Sequence, residues 1–309
     1  MTRIHKILPS KDERHTLFGS VQPGERTKPS KKEDMPDLQN QKKDFLFPIQ
    51  AVGIANVRFP VTIHSRIDPI TQSSVGSFSL TSSLLQDQKG TNMSRFTEIL
   101  TAHQGEMPGF DVSLTSITHF LKQLAHRLEQ PDAALRIDFP WGFQRKAPVS
   151  DYTAFQYVDA FVEASFDREH DETFFRVGME AKVTTLCPCS KEISEYSAHN
   201  QRGRIQVEVS LSEEEAYDFD WKEKLLEAAE SNASSILYPV LKRPDEKFVT
   251  EKAYENPRFV EDMVRLIASD LYEMEPVRAF SVHCQNEESI HQHDAIAKIV
   301  FDKDKDTLA

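Results

Sequence analysis

At 309 residues the chain is long enough to bury one large core or two of medium size. Its 39% hydrophobic and 28% charged residues describe a globular protein and exclude a fibrous or wholly disordered one. With 37 Lys plus Arg against 49 Asp plus Glu, the formal charge of −12 repels phosphate backbones and argues against a general nucleic-acid partner.

No stretch approaches the roughly 18 consecutive apolar residues that span a bilayer. The opening MTRIHKILPSKDERH is basic but lacks the apolar centre of a signal peptide, so a cytoplasmic protein with no membrane partner is expected. Three cysteines, Cys187, Cys189 and Cys284, are too few for a disulfide scaffold, and any thiol role is ligation or catalysis. The 10 glycines form neither a Walker A pattern nor G-x-G-x-x-G, so a nucleotide would not be held by a phosphate-cradling glycine loop.

Residues 1–45 read as a polar, disordered tail, because the run from Arg26 to Lys43 has almost no apolar side chains to offset its ordering entropy. A first module is expected over 46–167. Val57, Phe59, Val61 and Ile63 alternate as a strand with one buried face, and a second strand follows around Ser74–Leu84. Helices are predicted at Met93–Ala102 and along the stripe Leu114, Ile117, Leu121, Leu124 and Leu128, which Gln130-Pro131 ends. Strands at Ala134–Phe139 and Tyr152–Phe166 complete the set.

A second module, 168–309, repeats the order. Strands alternate over Val177–Thr185 and Ile205–Leu211. One helix opens near Ser212 with the capping-box pair Ser212 and Glu215, and another after Asn256-Pro257 carries Val260, Met263, Val264, Ile267 and Leu271. Strands near Val277–His283 and His293–Phe301 close the chain. Each half thus reads ββααββ, an α+β unit with an antiparallel sheet and helices on one face. Its uncovered edges make oligomerisation a reasonable expectation.

Three segments are dense in reactive side chains. Thr184–Arg202, TTLCPCSKEISEYSAHNQR, joins two strands and holds Cys187, Cys189 and His199. The thiols suit either ligation or plain burial, and the spacing matches no zinc-finger pattern. VHCQNEESIHQHDA holds His283, Cys284, Glu287, Glu288, His291 and His293. If His291 and His293 begin the last strand, their i, i+2 spacing puts them on one face. Lys242–Glu251, KRPDEKFVTE, reads as a charged loop between helices. Together these segments supply Cys, His and Glu, a donor set suited to Zn²⁺ or a similar ion.

The block TLCPCSKEISEYSAHNQRG, with KGTNMSRF (89–96), KRPDEKFVTEKAYENPRFVEDM (242–263) and ESIHQHDA (288–295), resembles GTP cyclohydrolase of type IB. That resemblance covers about Phe47–Phe301. It implies the tunnelling fold, two tandem ββααββ modules per chain closed into a homo-oligomeric barrel, as a homotetramer with shared active sites. It further implies hydrolysis of GTP to 7,8-dihydroneopterin triphosphate and formate, the first step of tetrahydrofolate biosynthesis. The cofactor implied is a divalent metal, Mn²⁺ or Zn²⁺, with Fe²⁺ a third candidate. Cys187 matches the family's essential cysteine and His199 a metal-site histidine. Glu246 and His291 are carried over as further ligands, with Glu251 and His293 as their rivals. Glu261 matches the glutamate that anchors the guanine edge. Lys89, Arg95, Lys191, Arg202 and Arg204 are candidate triphosphate contacts. Two other classes stay open on the residues: a tunnelling-fold nitrile reductase using a catalytic cysteine and NADPH, and an oligomeric scaffold with a structural zinc.

Overall fold

The computed structural model describes residues 8–19, 24–103, 109–212 and 216–308. Two units are distinguished, Met1–Leu38 and Gln39–Ala309. Within the first, α1 (Lys11–Phe18) opens on a capping box between Ser10 and Glu13 and buries none of its residues.

The second unit is organised by strand alternation. β1 (Ile49–His64) pairs antiparallel with β2 (Thr71–Leu84), with a register shift between Ile54 and Val57. Asn56 occupies that shift at φ 60, a left-handed conformation that asparagine tolerates. α2 (Met93–Ala102), a short β3 (Phe110–Asp111) and α3 (Leu114–Leu128) follow. The α3 stripe predicted from spacing is wholly buried, at about 1.5–3 kcal/mol for each large side chain. Phe120 adds an edge-on contact to Phe110, with ring centres 5.1 Å apart.

β4 (Asp132–Lys146) and β5 (Thr153–Asp167) are paired along their whole length. β4 runs well past the expected end at Phe139, through Pro140. Its pairing with β2 stops at Asp138, so the missing Pro140 N–H costs no ladder bond on that side. A hairpin leads directly into β6 (Glu172–Leu186), which pairs with β5 and with β7 (Asn200–Leu211). Between β6 and β7 lies α4 (Pro188–Ile193). α5 (Trp221–Ser231), a short β8 (Ser235–Ile236), α6 (Arg243–Glu255) and α7 (Val260–Glu273) come next, then β9 (Val277–Glu287) and β10 (Ala295–Asp302). The expected helix start near Ser212 falls partly outside the described residues, because Glu215 is among 213–215.

The strands form one sheet in the order β10-β9-β7-β6-β5-β4-β2-β1-β3, with β8 added on β6. Among the described residues all long pairings are antiparallel, and only the two-residue β3 runs parallel, to β1. One face carries the core. Val158, Ala160, Val162, Ala164 and Phe166 of β5 are at most 5% exposed, and α3, α5 and α7 pack on that face. The opposite face is polar and open, with Arg136 stacked 4.1 Å over the Phe161 ring. A Cβ at Gly178, the register partner of Phe161, would come within 2.6 Å of that ring, so glycine makes the space it occupies.

The segment Lys242–Glu251 corrects the sequence reading: it forms most of α6 and is not a loop. Periodicity concealed it, since only Asp245 and Ala253 of that helix are buried. The last strand also starts later than expected, at Ala295, which leaves His291 and His293 in the β9–β10 turn.

Two buried charged groups join the halves. Arg145 of β4 reaches both carboxylate oxygens of Glu230 of α5 at 2.6 Å. Burial pushes the Glu230 carboxyl up and Arg145 opposes it. Breaking such a pair leaves an uncompensated charge, at about 3–5 kcal/mol. Asp245 is fully buried. Burial alone would raise its carboxyl, but hydrogen bonds from Ser150, Lys242 and Val149 outweigh it and hold the group at about 2.

His103 ends α2 against Phe110, Phe120 and His119. Burial, with His119 in support, holds its imidazole below the ordinary 6.5, while Gln123 and Asp111 pull the other way. The folded chain therefore binds this proton less readily than the unfolded one. Stability is expected to fall as pH drops through 6.5 toward the folded value, and to be unaffected by this group above 6.5. Denaturant midpoints at pH 7.5 and 5.5 should differ less in His103→Gln than in the parent; equal differences would remove His103 from the account.

Candidate active site

β6 ends at Leu186 and the chain turns into α4 with Cys187 as its N-cap. Pro188 is suited to the first helical position, where no N–H is needed. The Cys187 Sγ accepts the Ser190 N–H at 3.4 Å, and the Ser190 Oγ donates to the Cys187 carbonyl at 3.1 Å. His199 is folded back onto this turn. The Cys187 N–H donates to the His199 carbonyl, and the His199 N–H donates to the Ser190 Oγ, both at 3.2 Å. Ser197, just upstream, sits at φ 81, a left-handed conformation that costs a residue of its kind about 1 kcal/mol or more. A thiol and an imidazole are thereby held at one end of β6 and β7.

β9 brings a carboxylate to the same end. The His199 Nδ1 lies 3.9 Å from Glu288 and 3.5 Å from the Ser289 hydroxyl. Glu288 is itself gripped by the Gln201 amide, which donates to its two oxygens at 3.0 and 2.9 Å. The Gln201 carbonyl oxygen accepts from the buried Thr185 hydroxyl at 3.2 Å. This chain of side chains lines the Nδ1 edge of the imidazole and leaves Nε2 clear of both contacts. Gln201 was not singled out by sequence reasoning, and Glu288 was noted only as part of a cluster. The signal was present: Thr185, Gln201 and Asn286 are polar residues on the apolar side of three alternating strands, each under a tenth exposed.

The other expected residues are distributed around this centre. Glu261 lies in the first turn of α7 and is exposed. That helix is tied to the site because the Arg258 N–H donates to the Leu186 carbonyl at 3.0 Å. Glu246 lies in the first turn of α6, also exposed, and Glu251 is exposed two turns or less further along. His291 and His293 stack with ring centres 4.9 Å apart and 12° between planes, so both imidazoles stand on the same side of the turn. Cys189 is exposed. Cys284 is a core residue of β9 whose thiol burial pushes up to about 12, which removes it from reactive chemistry.

The five candidate cations are not gathered in one place. Lys191 donates to the Tyr254 carbonyl at 2.6 Å with its ammonium 4.4 Å over the Tyr254 ring, linking α4 to the end of α6. Arg204 is paired with Glu287 at 2.9 Å on the open face of the sheet. Arg202 is exposed on that same face. Lys89 and Arg95 belong to the first half, where the Lys89 ammonium meets Gln41 at 3.4 Å.

Thiolate, imidazole and carboxylate are the donors that Zn²⁺ and Mn²⁺ accept, and Cys187 and His199 offer two of them from one turn, joined there through the backbone. Among the described residues, one chain does not draw three or more Cys, His, Asp or Glu groups around a single point. No helix among them is long and apolar enough to cross a membrane.

The fold is α+β, and at one end of its antiparallel sheet Cys187 and His199 share a turn while Glu288 stands beside the His199 ring. The chain belongs to the type I GTP cyclohydrolase folE2 family, whose model matches residues 35–297. It is 57% identical to the GTP cyclohydrolase FolE2 of Exiguobacterium sibiricum over 98% of this chain and 99% of that one. With the protein of the same name from Bacillus subtilis the identity is 50%, over 98% and 99%. Among solved structures, a crystal structure of a highly active BTUO mutant is similar at a TM-score of 0.50 with 8% identity, over 83% of this chain and 99% of that one. At that identity the likeness concerns the fold alone.

Proposed function

We propose that the chain hydrolyses GTP to 7,8-dihydroneopterin triphosphate and formate, the entry step to tetrahydrofolate. The observation that carries this reading is the family match over 35–297, which spans the Cys187–His199 turn, both helix starts with Glu246 and Glu261, and the Glu288–His291 turn. It also favours this reaction over a nitrile reductase or a zinc scaffold.

The chemistry needs water added at C8 of guanine and then hydrolysis of the resulting formamide. Cys187, His199, Glu246 and His291 are the residues that would hold a divalent ion, which when bound supplies a water acidic enough to form hydroxide near neutral pH. His199, whose Nδ1 edge faces Glu288 and Ser289, would hold and pass a proton. Glu261 would accept the N1–H and N2–H of guanine, a bidentate pairing that adenine cannot make. Triphosphate contacts would come from the candidate cations, with Arg202 the least engaged of those near the site.

The tandem-module, tunnelling-fold reading belongs to the same proposal. The sheet ends in β10 on one side and β1 with the short β3 on the other. Unpaired edges of this kind are closed in stable proteins by cover or by further strands, which supports a homotetrameric barrel.

The test is turnover of GTP by chelator-stripped protein resupplied with Mn²⁺, Zn²⁺ or Fe²⁺ in parallel, read as pterin fluorescence after oxidation of the product. Metal-restored fluorescence is expected. A folded protein that yields no pterin with any of the three would overturn the reaction.

A further inference from the structure

α6 carries Glu246 but has almost no apolar anchor. Of its residues only Asp245 and Ala253 are buried, and Asp245 is a carboxylate. That carboxylate is held from two directions. Its Oδ1 accepts the Val149 and Ser150 N–H groups, both at 2.8 Å, from the turn between β4 and β5. Its Oδ2 accepts the Ser150 hydroxyl at 2.5 Å and the Lys242 N–H at 2.7 Å, the latter from the start of its own helix. The partners in the turn are 96 and 95 residues away in sequence. The same turn is gripped again where the Lys242 ammonium lies 4.7 Å over the Tyr152 ring.

Four donors on one carboxylate fix its position and plane, which a buried leucine would not do. Pro244, immediately before it, stiffens the same turn of helix. Glu246 follows Asp245 directly, so the direction in which its Cα–Cβ bond leaves the helix is set by the backbone that Asp245 pins.

We propose that Asp245 is a positioning residue for Glu246: by clamping the first turn of α6 to the β4–β5 turn, it presents the Glu246 carboxylate to the metal in one orientation. The inference rests on the reading of Glu246 as a metal ligand. It gives the first half of the chain a part in a metal site whose proposed ligands, Cys187, His199, Glu246 and His291, all come from the second half.

The test compares Mn²⁺ affinity of the full-length, chelator-stripped protein, measured by equilibrium dialysis, with its urea midpoint. The variants are Asp245→Asn, Ser150→Ala, Glu246→Gln and, as a control, Glu230→Gln. Glu230 also joins the two halves but lies outside the site. Asp245→Asn is expected to weaken Mn²⁺ binding about tenfold or more, as loss of a group supporting a metal ligand typically does. Ser150→Ala, which removes one of the four donors, should weaken it in the same direction by less. Should Asp245→Asn fail to fold, Ser150→Ala decides. Glu230→Gln is expected to lower the urea midpoint and leave Mn²⁺ affinity as it was. Unchanged affinity in the Asp245 and Ser150 variants, with weakened affinity in Glu246→Gln, would overturn the positioning role alone. Unchanged affinity in Glu246→Gln would overturn the ligand reading and the positioning role with it. An equal loss in Glu230→Gln would show that loosening the two halves suffices, and would also overturn it.

Discussion

Replacing Cys187 by alanine is expected to reduce GTP turnover about a thousandfold or more while the chain still folds. The loss follows from position: this thiol stands on the turn that also holds His199, and no other cysteine can replace it. Cys189 is exposed on the far side of Pro188, and Cys284 is locked in the core. The cost to folding is small. Cys187 caps a helix of 6 residues through one long hydrogen bond at 3.4 Å, and removing a cap costs about 1 kcal/mol. In a chain of this size that shifts Tm by only about 2–4 °C. Cys187→Ser keeps a capping hydroxyl and removes the soft donor, so it should fold like the parent and remain nearly inactive. Near-normal turnover in either variant would sink the role given to the thiol.

The second large effect is expected at Glu261. A carboxylate accepting two N–H groups from guanine contributes about 1.5–3 kcal/mol per bond. Glu261→Ala should therefore lower kcat/KM for GTP by about 10²–10⁴. Glu261 is exposed and packs on nothing in the core, so its loss removes only a favourable charge from the first turn of α7, at about 0.3–1 kcal/mol. The informative comparison is with ITP, whose base lacks the N2 amino group. The parent should prefer GTP, and the variant should lose most of that preference. A variant that keeps the preference while losing turnover would show that Glu261 acts on the chemistry and not on the base.

How much of this was legible in the sequence depends on burial. Strands with one buried face announced themselves: Val158, Ala160, Val162 and Ala164 all lie on the core side of β5. α2 and α3 begin and end where spacing and Pro131 put them. α6 did not announce itself, because a helix attached by a carboxylate and an alanine has no apolar stripe to read. In the site, Cys187 and His199 were reached through motif resemblance, and their meeting at a shared turn is the structure's contribution. The support behind His199 was hidden for a different reason. Gln201 and Thr185 look like ordinary polar residues until the alternation of their strands is followed and each proves to point inward. Cations were the poorest guide. Lys191 and Arg204 are spent on Tyr254 and Glu287, and a sequence does not say which charges are already engaged.

The sheet order has a consequence for synthesis of the chain. β9 pairs with β7, and it is the turn after β9 that brings Glu288 and Ser289 to His199, about 90 residues earlier in the chain. A nascent chain can complete most of its sheet while this end of it is still unfurnished. The site depends on contacts about 90 residues apart in sequence, the kind that forms slowly. A chain cut short before β9 would lack that carboxylate–imidazole contact together with the Val277, Phe280, Val282 and Cys284 part of the core, and would leave β7 as an unpaired edge open to another strand.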